Sequence, residues 1–300
     1  MAHSDLRTDD GPPAAMSDRS FEALVERHRI TDRRWAIVKP NVVLPTLFTF
    51  TAVVIWELIA RLADVPSYIL PPPTQIAVRI VESWGLLWDN SMATMASIGL
   101  GYVIGVLLGA VLALAMAYSE IVRNTLYPPI IASQAVPKIA IAPLLVLWLG
   151  FGIWPKVAVV ALMVFFPVTI TMVEGLRSVD PRLLDLLRSV YASPAQVFLR
   201  VSLPHALPQI FSGLKIGITL AVVGAVVGEW VGADSGLGHL LIIANTRLDA
   251  TLLFSALVLL VIIGIALFLL IELLEKVLVP WKESQEEKDG GAAAGKAGGM

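Results

Sequence analysis

Six long apolar stretches limit this chain more than any other feature. They cover residues 42–60, 93–118, 128–149, 154–173, 210–231 and 252–279. A helix crosses the hydrocarbon core of a bilayer with about 20 mostly apolar residues, and each stretch approaches or exceeds that length. Hydrophobic residues make up 57% of the 300, and charged residues 15%. Soluble domains carry roughly 25% charged residues, so the charge needed to clothe a soluble surface is missing. The mean hydropathy of +0.78 agrees. The expected fold class is all-α: a polytopic membrane protein with six transmembrane helices. The stretch 128–149 is interrupted by Gln134, Pro137, Lys138 and Pro143. Broken helices at membrane depth persist where they are buried in protein or line a cavity.

The segments between the spans set the orientation. With the N-terminus inside, sixteen Lys and Arg fall on the inner side and four, Arg61, Arg79, Lys156 and Arg247, on the outer side. Inner loops of membrane proteins are enriched in Lys and Arg, so both termini are expected in the cytoplasm. Residues 1–41 read as a cytoplasmic tail with a possible amphipathic helix at 21–30. They carry seven basic residues and no apolar core of a signal peptide. Residues 42–279 form the membrane domain, and residues 280–300, charged and then Gly/Ala-rich, a disordered cytoplasmic tail. On the outer side, Pro71-Pro72-Pro73-Thr74 precedes a segment able to form an interfacial helix. A second outer loop holds Gly236-Leu237-Gly238. Both are either plain connectors or surfaces for an external partner.

Several chemistries are excluded. There is no cysteine, so disulfides, thiolate metal sites and Cys nucleophiles are ruled out. No G-x-x-x-x-G-K-[ST] phosphate cradle occurs, and the four histidines are far apart. A net charge of −2 gives no basic face for nucleic acid. The chain is not expected to be an enzyme or to hold a cofactor or metal. Uphill transport then needs energy from a partner subunit or from an ion gradient.

The inner segment 176–208 has the clearest local code. Asp180-Pro181 supplies an N-cap acid followed by Pro at the first helical position. Leu183, Leu184, Leu186 and Leu187 form an apolar stripe opposite Arg182, Asp185 and Arg188. Ser193-Pro194-Ala195-Gln196 starts a second short helix with a capping box. Val197, Phe198 and Val201 give it an apolar face, and Pro204 and Pro208 are expected to end it before span five.

This segment resembles the EAA loop of the permease subunits of ATP-binding-cassette (ABC) importers. Asp185-Leu186-Leu187 stands at the acid-Ala-Ala triplet, Tyr191 at the following Gly, and Val201-Ser202-Leu203-Pro204 at the Ile-x-Leu-Pro. Leu186, Leu187 and Tyr191 depart from the small residues of that pattern. Ala135 to Leu145, Phe165-Phe166-Pro167 and Gly236-Leu237-Gly238 are similar to the nitrate/sulfonate/taurine group. Asp185 to Ser189 and Phe211 to Lys215 are similar to members linked to pyrimidine thiamine precursors or riboflavin.

The resemblance implies a permease of the bacterial inner membrane that passes a small organic solute, either a sulfonate- or nitrate-type anion or a pyrimidine- or riboflavin-type vitamin precursor. It implies as partners an ABC ATPase carrying ATP and magnesium, a second permease copy, and a periplasmic or lipid-anchored substrate-binding protein, all within membrane lipid. It also implies an ATPase-coupling surface at Asp185, Arg188, Tyr191, Ser193, Gln196, Arg200, Leu203 and Pro204. Candidates for the translocation path are Ser133, Gln134, Lys138 and Glu229. Lys138 could meet an anionic substrate, tether a broken helix or snorkel to the boundary. Glu229 is either a gate residue on the outer side or a satisfied interfacial acid. Gly101, Gly105 and Gly109, and Gly224, Gly228 and Gly232 with Gly213 and Gly217 before them, suit close helix packing within a subunit or at a dimer seam. The alternative function is an ion-gradient-driven secondary transporter.

Overall fold

The computed structural model describes residues 40–63 and 65–281. The proposed helix at 21–30 and the bodies of both tails lie outside these residues. The contacts of the chain divide it after Ile59. The described part of the first unit is the body of α1 (Pro40–Leu62). Within it, the Thr49 hydroxyl donates to the carbonyl of Pro45 at 2.9 Å.

The second unit holds α2 (Pro73–Glu82), α3 (Trp84–Tyr118), α4 (Glu120–Ser133), α5 (Lys138–Leu149), α6 (Ile153–Arg177), α7 (Pro181–Ser189), α8 (Pro194–Val197), α9 (Leu203–Gly232), α10 (Leu237–Thr246) and α11 (Ala250–Leu278). Among the described residues there is no strand. Helices α1, α3, α6, α9 and α11 are long and apolar enough to span a membrane, and α4 with α5, bent by 99° at their junction, is apolar enough for a broken sixth span or a re-entrant loop. The break falls at Gln134 to Pro137, where a polar residue and a proline remove helix support. Pro128, Pro129 and Pro143 are instead carried inside the two halves. Outside the spans, the triple proline starts α2, with Pro73 in its first turn.

Helix α6 is the hub. Its Val160, Val164 and Val168 are fully buried, against Ile98 of α3 and Ile218, Ala221 and Ala225 of α9. The glycines explain the approach. An added Cβ at Gly105 would lie 2.7 Å from the Ala161 carbonyl oxygen, and one at Gly228 would lie 2.9 Å from the Lys156 Cα. The glycines of both rows therefore face α6, except Gly232, which faces Val146 and Phe151, and they serve packing within this chain. Close backbone approach is how helices gain van der Waals contact where lipid gives no hydrophobic drive.

One expectation is corrected. Pro204 and Pro208 do not end the second loop helix. Residues from Pro194 to Gly232 form one 39-residue helical run. A single π-helical stretch, Phe198–Ser202, joins α8 to α9 and accommodates the register change. Pro204 sits just after that stretch, which carries the helix past it.

Candidate functional site

The α6–α9 loop is built from its caps. The Asp180 carboxylate accepts the Arg182 backbone N–H at 2.8 Å. The Arg188 guanidinium donates to Asp185 at 3.2 Å across one turn of α7. Of the four leucines expected as one stripe, Leu184 and Leu187 turn partly inward, while Leu183 and Leu186 are exposed. The helix closes through Tyr191, whose φ of 58° is left-handed. The Ala192 N–H reaches the Leu187 carbonyl at 3.1 Å. A Gly would enter that conformation without the steric cost that Tyr bears. The capping box of α8 forms as the spacing predicts: the Gln196 N–H donates to Ser193 Oγ at 3.3 Å, and the Ser193 N–H donates to Gln196 Oε1 at 2.9 Å.

Asp185, Arg188, Tyr191, Ser193, Gln196 and Arg200 are all exposed, and Tyr191 is 95% so. Leu203 and Pro204 are half-buried where the loop enters α9. Leu186, Val190 and Leu199 add exposed apolar surface. A cavity of about 350 Å³ lies between the loop and the ends of α3 and α6, lined by Tyr118, Leu176, Leu184, Val197 and Phe198 among others. The Tyr118 and Phe198 rings stand 5.8 Å apart there. The loop thus presents charge and apolar area on two short, well-capped helices.

The four path candidates separate into two places. Ser133, Gln134 and Lys138 share the break between α4 and α5. Ser133 Oγ donates to the Ile130 carbonyl at 2.6 Å, and Gln134 is exposed. Lys138 is half-buried, with its Nζ 4.9 Å from the centre of the Phe166 ring, a cation–π distance. Glu229, by contrast, is fully buried in α9 and accepts the Gly238 N–H at 2.7 Å. Beside it, Asn90 Oδ1 accepts the Gly236 N–H and Thr94 Oγ1 the Leu237 N–H, both at 2.8 Å. Lys156 Nζ donates to the Ser235 carbonyl at 2.8 Å. Sequence reasoning counted Lys156 only as an outer-side charge and passed over Asn90 and Thr94. The glycines of Gly236-Leu237-Gly238 were the available signal, because a Cβ at Gly236 would overlap the Glu229 carboxylate.

Among the described residues no cluster of His, Asp and Glu is arranged to hold a metal. Residues 101–284 match the family of binding-protein-dependent transport system inner membrane components. The chain belongs to that family. It is 41% identical to the formylaminopyrimidine transport permease protein ThiX of Halalkalibacterium halodurans, over 80% of this chain and 96% of that one. It is 38% identical to the riboflavin transport system permease protein RibX of Chloroflexus aurantiacus, over 77% and 87%. The taurine transport system permease protein TauC of Escherichia coli is 31% identical, over 76% and 85%.

Among solved structures, the fold is shared with the MetNI methionine ABC transporter in an inward-facing form. That match has a TM-score of 0.52 and 22% identity, over 64% of this chain and 94% of that one. The family and its permeases make this chain a multi-pass inner-membrane transport subunit of an ABC importer for small solutes, and not itself an enzyme.

Proposed function

We propose that this permease couples to a separate ABC ATPase through the α7–α8 loop and passes a nitrogen-heterocyclic vitamin precursor. One observation carries the coupling reading: α8 runs without a break into span α9. A push on the loop therefore moves a membrane-spanning rod rather than a flexible tether. Asp185, Arg188, Tyr191, Ser193, Gln196 and Arg200 form the ATPase surface in this reading, with Leu203 and Pro204 transmitting its movement. ATP and magnesium belong to the ATPase. Two copies of this chain enclose the path, both termini face the cytoplasm, and the substrate-binding protein docks on the other side.

Ser133, Gln134 and Lys138 line the path at the broken span, where irregular backbone is tolerated beside a cavity. Glu229 serves α10 instead. The heterocycle is favoured over a sulfonate-type anion because the permeases named for formylaminopyrimidine and riboflavin are more similar to this chain than the one named for taurine. The family match likewise favours an ATP-driven importer over the ion-gradient alternative.

Co-expression with the candidate ATPase and purification of this chain in mild detergent test the proposal. A stoichiometric complex with ATPase activity, lost when residues 180–204 are replaced, is the expected result. A chain that purifies alone while both proteins are expressed removes the coupling reading. Uptake of labelled formylaminopyrimidine, riboflavin and taurine by the complete system then separates the substrate classes.

A further inference from the structure

The α10 helix is ten residues of apolar sequence, too short to span, yet its Leu237, Leu240, Leu241 and Ala244 are buried with Leu87 of α3 and Leu252, Ala256 and Leu260 of α11. The N–H groups of its N-cap Gly236 and of its first two residues find no partner within the helix. Each is taken by a side chain from elsewhere: Gly236 by Asn90, Leu237 by Thr94 and Gly238 by Glu229. Asn90 and Thr94 belong to α3, and Glu229 to α9. Of these acceptors, Glu229 alone reaches α10 from α9, and its 2.7 Å bond to the Gly238 N–H is the shortest of the three.

The Glu229 carboxylate is costly to keep. It has no solvent exposure, and its Oε1 makes no hydrogen bond. A leucine of similar size would fill the space without a buried carboxyl oxygen that lacks a hydrogen bond. Local rules broken at a cost tend to mark functional positions. The surroundings are also shaped to this group, because Cβ atoms at Gly236 and Gly238 would both collide with it.

Glu229 is also the fourth residue from the end of the helical run that begins at Pro194, in the α7–α8 loop. At 1.5 Å per residue, those 39 residues reach roughly 58 Å. We infer that Glu229 is a positioning residue that ties α10 to this rod, so that movement of the loop at one end is delivered to α10 at the other. The inference rests on the ATPase-coupling role proposed for the loop. The three-helix core, packed through glycines, holds the rod stiff, and the Gly238 N–H bond to the Glu229 carboxylate is the joint at its far end.

The chain has no native cysteine, so single labels report single places. Leu199→Cys, exposed in the π-helical stretch, reports the loop, and Asn245→Cys, exposed on α10, reports the far end. Each is placed in otherwise unaltered chain, in Glu229→Gln, which keeps an oxygen for Gly238, and in Glu229→Leu and Glu229→Ala, which do not. Maleimide labelling rates are compared in the permease–ATPase complex in nanodiscs, nucleotide-free and trapped with ATP and vanadate.

The expected result is a nucleotide-dependent rate change of about fivefold at both sites in the unaltered and Gln backgrounds, at the low end for coupled sites. In the Leu and Ala backgrounds the change persists at Leu199→Cys and is lost at Asn245→Cys. An undiminished change at Asn245→Cys in either apolar background overturns the inference. So does an unaltered chain that responds at Leu199→Cys alone, a result that leaves the coupling role standing. No response at Leu199→Cys in the unaltered chain removes the coupling role and the inference with it.

Discussion

Gly101 of α3 lies against Val160 of α6 so closely that a Cβ on the glycine would stand 2.5 Å from the valine Cβ and 2.8 Å from the Val157 carbonyl oxygen. Two residues earlier, a Cβ on Gly99 would meet nothing within 4 Å. The two positions share one helix and differ in which face they occupy.

Gly101→Ala is therefore expected to destabilise the chain by about 1–3 kcal/mol, the usual cost of overpacking. Gly99→Ala should instead gain up to about 1 kcal/mol in helix propensity. Thermal melts of the two variants in one detergent, followed by fluorescence size-exclusion, check the contrast. Equal melting temperatures would show that α3 does not seat on α6 through Gly101.

Lys215 of α9 pairs with Glu275 of α11, and both side chains are largely withdrawn from solvent. Removing one member of a buried pair leaves the other uncompensated, at about 3 kcal/mol or more. Lys215→Met and Glu275→Gln should each lower stability by that amount, and the exchange Lys215→Glu with Glu275→Lys should recover most of it. A double-mutant cycle on melting free energies measures the coupling. Additive losses, with no recovery in the exchange, would mean that the pair does not join the two spans.

Tyr191 combines a left-handed backbone with nearly complete exposure. Tyr191→Gly relieves about 1–2 kcal/mol of backbone strain, so expression and melting temperature should hold or rise. The exposed ring is then free to serve a partner, and its loss should weaken ATPase association more than tenfold if it is an aromatic anchor of about 2 kcal/mol. Pull-down titration against the ATPase measures this. Unchanged affinity would take Tyr191 off the coupling surface.

Asp185 and Arg188 bond to each other on an exposed helix face. Such a pair contributes about 0–1 kcal/mol to stability, and exchanging the two residues keeps the pair while reversing the charges shown to a partner. The variant Asp185→Arg with Arg188→Asp should insert and melt as the parent does, yet lose co-purification with the ATPase. A normal complex with normal transport would refute the assignment of these two residues.

Much of this arrangement is legible locally. The spans follow from apolar length, and the break at Gln134 to Pro137 from a polar residue and a proline within one stretch. The caps at Asp180 and Ser193 follow from side chains that reach backbone two or three residues away. Pro204 misled because its effect depends on its setting: read as a stop, it sits just after the π-helical stretch at Phe198–Ser202, which carries the helix past it.

What the sequence by itself determined is therefore the all-α membrane class, the apolar stretches that form its long helices and the starts of the loop helices. Each follows from interactions within about four residues or from transfer of a segment into lipid. The tertiary structure decided the rest. It turned the glycines of both rows, except Gly232, onto α6, paired Lys215 with Glu275 and seated α10 on Asn90, Thr94 and Glu229. These contacts join residues as many as 146 positions apart, as Asn90 and Gly236 show. They arise when buried polar groups, cut off from water, must find partners on whichever helices packing brings beside them.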